Sequence, residues 1–63
     1  MGVPWQVMNR IRSELRKVVD EEVDESFFTF DRDSGQIVSN RKIGGYHFIF
    51  DGEGNLIKQH RES

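Results

Sequence analysis

Three sets of side chains in this sequence have types and spacing that could do chemistry. Asp51, Glu53 and Asn55 stand at positions 1, 3 and 5 of a calcium loop, and Glu62 falls at position 12. The sequence departs from that loop where its physics is strict. Position 6 must be a glycine able to turn sharply, and Leu56 stands there; position 8 is normally apolar, and it is Lys58. The residues support a hairpin turn, and no metal or other cofactor is expected.

The second set is His47 and His60, thirteen positions apart. Imidazoles serve as ligands and as acid–base groups. Neither has a Cys, Ser or carboxylate at a spacing that implies catalysis. His60 is expected near a frayed chain end and His47 mid-strand on the less covered sheet face, so a half-buried structural role outweighs a catalytic one. No phosphate loop is visible either, because Gly44, Gly45, Gly52 and Gly54 fall in hairpins rather than between a strand and a helix. The chain is therefore expected not to be an enzyme.

The third set is cationic. Arg10, Arg12, Arg16 and Lys17 are close in sequence but spread around a helix. Arg41, Lys42, Lys58, His60 and Arg61 come from the C-terminal ends of two strands that correspond in an internal repeat. Such an edge, through Arg41, Lys42, Lys58 and Arg61, is the alternative reading: a surface for nucleic-acid phosphates. The isoelectric point near 5.6 weighs against it, and charges on an edge strand also guard against aggregation.

The repeat is what positions these residues. Tyr46-His47-Phe48-Ile49-Phe50 alternates large aromatics, breaks at Asp51-Gly52-Glu53-Gly54-Asn55 and resumes at Leu56-Ile57-Lys58. That pattern reads as a β-hairpin. It has already occurred in Phe28-Thr29-Phe30-Asp31-Arg32-Asp33-Ser34-Gly35-Gln36-Ile37-Val38, with one residue more in the turn. Strands are expected at about 26–31, 36–43, 46–50 and 56–60, with Gly44-Gly45 joining the two hairpins and the four strands forming an antiparallel meander. Period two puts Phe28, Phe30, Tyr46, Phe48 and Phe50 on one face, and Phe27, Thr29, His47 and Ile49 on the other. Register leaves open whether Ile37 or Val38, and Leu56 or Ile57, joins the larger set.

Ahead of the strands, Met8, Ile11, Leu15, Val18 and Val19 have the spacing of one helical face, with Trp5 one turn back and Pro4 suited to a helix start. A helix over about 4–24 follows, with Arg16–Asp20 and Lys17–Glu21 as exposed i,i+4 pairs. Its end is the weak point. Asp20, Glu21, Glu22, Asp24 and Glu25 would crowd a C-terminus whose dipole disfavours negative charge, and no glycine closes it. Either the helix frays after Val19 or a cationic group answers the acidic block.

Sixty-three residues allow a single domain with an α+β fold, an N-terminal helix on a four-stranded meander. So short a chain has a thin core, and with no Cys neither a disulfide nor a thiolate metal site supports it. The net charge of −2 hides segregation: Arg10, Arg12, Arg16 and Lys17 against Glu14 give +3 over 1–17, whereas seven acidic residues against Arg32 give −6 over 18–33. Such blocks are usually solvated faces. No apolar run approaches the ~20 residues of a membrane span, and neither a signal peptide nor a myristoylation motif is visible, so a cytoplasmic location is expected. One helix covers only one sheet face. The other keeps Phe27 and Ile49 and suggests a non-enzymatic interaction module that binds a second copy or another protein. Phe27 and Ile49 are the preferred contacts. Trp5 and Met8, on the helix, are the second choice, with Trp5 expected to pack mainly into the core.

Overall fold

The computed structural model describes residues 3–61. A helix α1, Trp5–Leu15, is followed by a 3-10 turn at Glu25–Phe27. Four strands come next: β1 (Phe28–Asp31), β2 (Gln36–Ser39), β3 (Tyr46–Phe50) and β4 (Leu56–Arg61). The strands form one antiparallel sheet in the order β1-β2-β3-β4. This is the α+β meander expected from the repeated pattern.

Met8, Ile11 and Leu15 of α1 are buried with Phe28, Ile37, Phe48 and Phe50 of the sheet. Val3, Val23 and Ile43 close the core from the connecting segments, and Phe48 and Phe50 are fully enclosed. The aromatic rings run as a chain: Phe28 meets Phe50 edge-on at 5.9 Å, and Phe50 stacks on Phe48 at 6.3 Å. Register resolves the open choices. Phe30 pairs with Ile37 and Phe50 with Leu56, so Ile37 and Leu56 face the core. Val38 turns to the other face, and Ile57 sits exposed at a bulge between β3 and β4. The shorter second turn is met by that bulge.

The helix is shorter than its apolar stripe predicts. It stops at Leu15, and tightening turns follow, with the Val18 and Val19 N–H groups both donating to the Leu15 carbonyl. Tertiary contacts take over there. Arg12 donates from Nε to the Val23 carbonyl at 3.0 Å, drawing the acidic segment back along α1 and burying Val23. Val19 packs so closely on Gly44 that a Cβ there would run into its side chain. The helix thus ends four residues before Val19, earlier than expected, and Arg12 of its own last turn holds the acidic segment by a backbone carbonyl rather than by a carboxylate. The i,i+4 pairs Arg16–Asp20 and Lys17–Glu21 are lost with the helix. Lys17 pairs back to Glu14 at 3.4 Å instead, and Val18 is exposed.

Strand β2 also ends early. The Ser39 hydroxyl, buried, accepts from the Phe48 N–H at 2.9 Å, and Asn40 turns away to donate its N–H to the Phe27 carbonyl. The chain returns at Ile43, which exchanges both backbone hydrogen bonds with Tyr46 around Gly44-Gly45. Both glycines have positive φ, 61° and 86°, as a two-residue hairpin turn of this hand requires.

The two hairpins share a design but not an environment. Phe50 is fully buried, whereas its counterpart Phe30 is 47% exposed. Phe50 lies on a central strand beneath α1. Phe30 lies on the edge strand β1, beyond the reach of one short helix, and so leaves the expected core set. A domain of this size holds roughly 3–9 kcal/mol of net stability. Phe48→Ala or Phe50→Ala is expected to cost about 3–5 kcal/mol and largely unfold the chain, while Phe30→Ala costs less than about 1.5 kcal/mol. Urea titration of the three variants checks this, and equal losses at Phe30 and Phe50 would invert the assignment of covered and open positions.

Candidate functional site

The first candidate, the turn over Asp51–Asn55, is built from its own hydrogen bonds. The Asp51 carboxylate accepts from the N–H groups of Glu53 and Asn55 at 2.9 Å each and from the Asn55 side-chain amide at 3.0 Å. This lets Asp51 cap the turn. Gly54, at φ 91°, comes within 2.9 Å of the Val7 carbonyl at the point where a Cβ would lie. Arg10 reaches over from α1 to donate to Asn55 Oδ1 at 3.0 Å. The turn is thus clamped beneath the helix. Glu62, the twelfth position of the calcium pattern, lies outside the described residues.

The cationic residues do not form one stripe. Arg41 lies over the ring of Phe27, its guanidinium 4.5 Å from the centroid, on the β1 side of the sheet. Lys58 stands opposite Ile49 and Arg61 opposite Tyr46, both on the far edge strand β4. Arg61 shares an end of the sheet with the 40–45 connection, whereas Lys58 lies three residues along. The helical cations Arg12 and Arg16 line a polar cleft of about 360 Å³ with Glu21, Glu22 and Asp24. Here the basic and acidic halves of the sequence face each other across the cleft.

Of the apolar candidates, Met8 is only 3% exposed and belongs to the core, so it has nothing to offer a partner. Its place in the helical stripe concealed this, because core and interface residues share the same spacing. Phe27 sits in the 3-10 turn rather than in β1, packed partly against the core and capped by Arg41. Ile49 is half-buried in a row that crosses all four strands, Thr29–Val38–Ile49–Lys58. Trp5 reverses its expectation: it is 70% exposed. Side chains in a first helical turn lean toward the helix N-terminus, and at this end Val3 and Val7 rather than Trp5 pack on the core.

An apolar groove of about 540 Å³ is lined by Val3, Pro4, Phe28, Phe30, Ile37 and Arg32 among others; Trp5 is the next residue of the chain after Pro4. Sequence reasoning missed the groove. The edge position of Phe30 was the signal available, since an edge strand at the limit of a single helix leaves its outermost aromatic half covered.

Two carboxylates are tuned by this geometry. Hydrogen bonds from Asn55 hold Asp51 below the usual aspartate range, and those from Ser26 do the same for Asp24. A lowered folded-state pKa contributes stability that is present above the unfolded value and disappears as pH falls through the folded one. Stability is therefore expected to decline on acidification below the ordinary aspartate pKa of about 3.9, and Asp51→Asn is expected to flatten that decline. Urea midpoints across the acid range read it out; a variant with the same acid slope as the parent would remove Asp51 from the account.

No helix among the described residues is long and apolar enough to cross a membrane. No protein-family model, no curated protein and no solved structure matches the chain.

Proposed function

We propose that this chain is a small non-enzymatic protein-interaction module that acts as a homodimer, each Trp5 docking in the groove of the other copy. The observation that carries this reading is an exposed indole that follows, by one residue of chain, Pro4 on the wall of an apolar groove. Trp is the side chain most enriched among interface residues that dominate binding. The groove is large enough to take an indole, and Arg32 on its wall supplies a guanidinium for the face of the ring. A second copy fits the arrangement because a two-fold axis lets one patch serve as both anchor and receptor. A thin core also gains from the added burial. The sheet face through Phe27 and Ile49 is the weaker surface, since Arg41 already lies over the Phe27 ring and Ile49 is half-buried.

Light scattering on a sizing column is expected to report about twice the 7.4 kDa chain mass at high concentration. Trp5 is the sole tryptophan, so its emission reports the contact directly and is expected to shift to the blue as the protein is concentrated. Trp5→Asp is expected to give a folded monomer, with dissociation raised by about 30-fold or more, as loss of an anchor worth at least about 2 kcal/mol requires. A monomer mass with unchanged emission overturns the dimer. Salt-sensitive binding of DNA or RNA, weakened by reversing two charges among Arg41, Lys42, Lys58 and Arg61, would instead favour the phosphate-binding alternative.

A further inference from the structure

The two histidines, thirteen positions apart in sequence, are brought directly opposite each other. His47 of β3 pairs with His60 of β4, and the flanking pairs Tyr46–Arg61 and Phe48–Gln59 are in unbroken register. The bulge that shifts this ladder falls farther along, between Ile49 and Phe50, so it does not disturb the pair. Residues facing each other across an antiparallel ladder share a face. Here it is the face away from α1, because their neighbour Phe48 is buried under the helix. His47 is half-buried on a central strand, and His60 is exposed on the edge strand.

We propose that His47 and His60 form a two-imidazole site for a borderline divalent transition-metal ion, with copper(II) the preferred metal. Opposed residues hold their Cβ atoms about 4.5–5.5 Å apart. That spacing lets two imidazole rings converge on one ion at the usual metal–nitrogen distance of about 2.0–2.1 Å. The donor set decides the metal class. Neutral imidazoles suit copper, nickel and zinc, whereas calcium and magnesium require oxygen ligands. No third His, Cys, Asp or Glu joins the pair among the described residues, so water completes the coordination and the site stays open to a further ligand. Lys58, the next residue of β4 on this face, adds a positive charge nearby. The site therefore selects by ligand softness rather than by net negative charge, and copper leads because it heads the affinity order for nitrogen donors.

The test uses the unmodified chain with copper(II) sulfate, and separately with zinc and magnesium chlorides. Calorimetry is expected to show one copper per chain, weaker zinc binding and no magnesium binding. NMR is expected to show the ring signals of His47 and His60 broadened first by substoichiometric copper. His60→Asn, at an exposed position, is expected to remain folded by circular dichroism and to weaken copper binding by about tenfold or more; His47→Asn,His60→Asn is expected to abolish the site. Copper affinity unchanged in His60→Asn overturns the site. So does broadening that begins at other residues in the parent protein, a readout that does not depend on whether either variant folds.

Discussion

Eleven helical residues have to cover a sheet of four strands, and that mismatch governs the molecule. The helix meets the sheet through Met8, Ile11 and Leu15, enough to seal the central aromatics of β3 but not the far end of β1. Everything beyond that stripe must be closed by other means. Val3 folds in ahead of the helix, Val19 and Val23 fold in behind it, and Ile43 closes the β2–β3 connection. Three of the ten buried core residues, Val3, Val23 and Ile43, thus come from connecting segments. This is how a short chain buries as much apolar surface as it can with few elements.

The polar contacts serve the same closure. Arg12 holds the acidic segment by the Val23 carbonyl, Glu21 accepts from the Gly44 N–H at 3.2 Å, and Arg10 ties the second hairpin turn to the helix. These are long-range contacts of individually small worth, but each fixes a segment without regular structure where a buried valine or a close glycine approach needs it. The segregated charges are thereby brought together, with the basic helix and the acidic segment lining one cleft.

What remains uncovered is informative for the same reason. Phe30 lies at the limit of the helix's reach, and the groove between Pro4 and Phe30 is the space a longer helix or another strand would fill, while Trp5 is exposed on the next residue of the chain after Pro4. On the opposite face, the four-strand row centred on Val38 and Ile49 and the opposed histidines make a surface of mixed character.

The local patterns were legible in the sequence. The two hairpins, their Asp-initiated turns, the meander order and the buried aromatics of β3 all follow from period-two alternation and turn chemistry, which act over a few residues. The site was legible only in part: the residue types were visible, but not their juxtaposition. Whether Phe30 shares the fate of Phe50 depends on which strand lies beneath the helix. Whether the helix runs to 24 or stops at Leu15 depends on Arg12 meeting Val23 and Val19 meeting Gly44, 11 and 25 positions apart in the chain. Trp5 and Met8 sit on one stripe, yet Trp5 is exposed and Met8 buried, with Val3 and Val7 packing on the core instead of the indole. The pairing of His47 with His60 needed the register of β3 on β4, which a turn one residue longer would have shifted. Spacing along the chain sets which faces exist, whereas which of them are covered depends on the reach of one element over another in space.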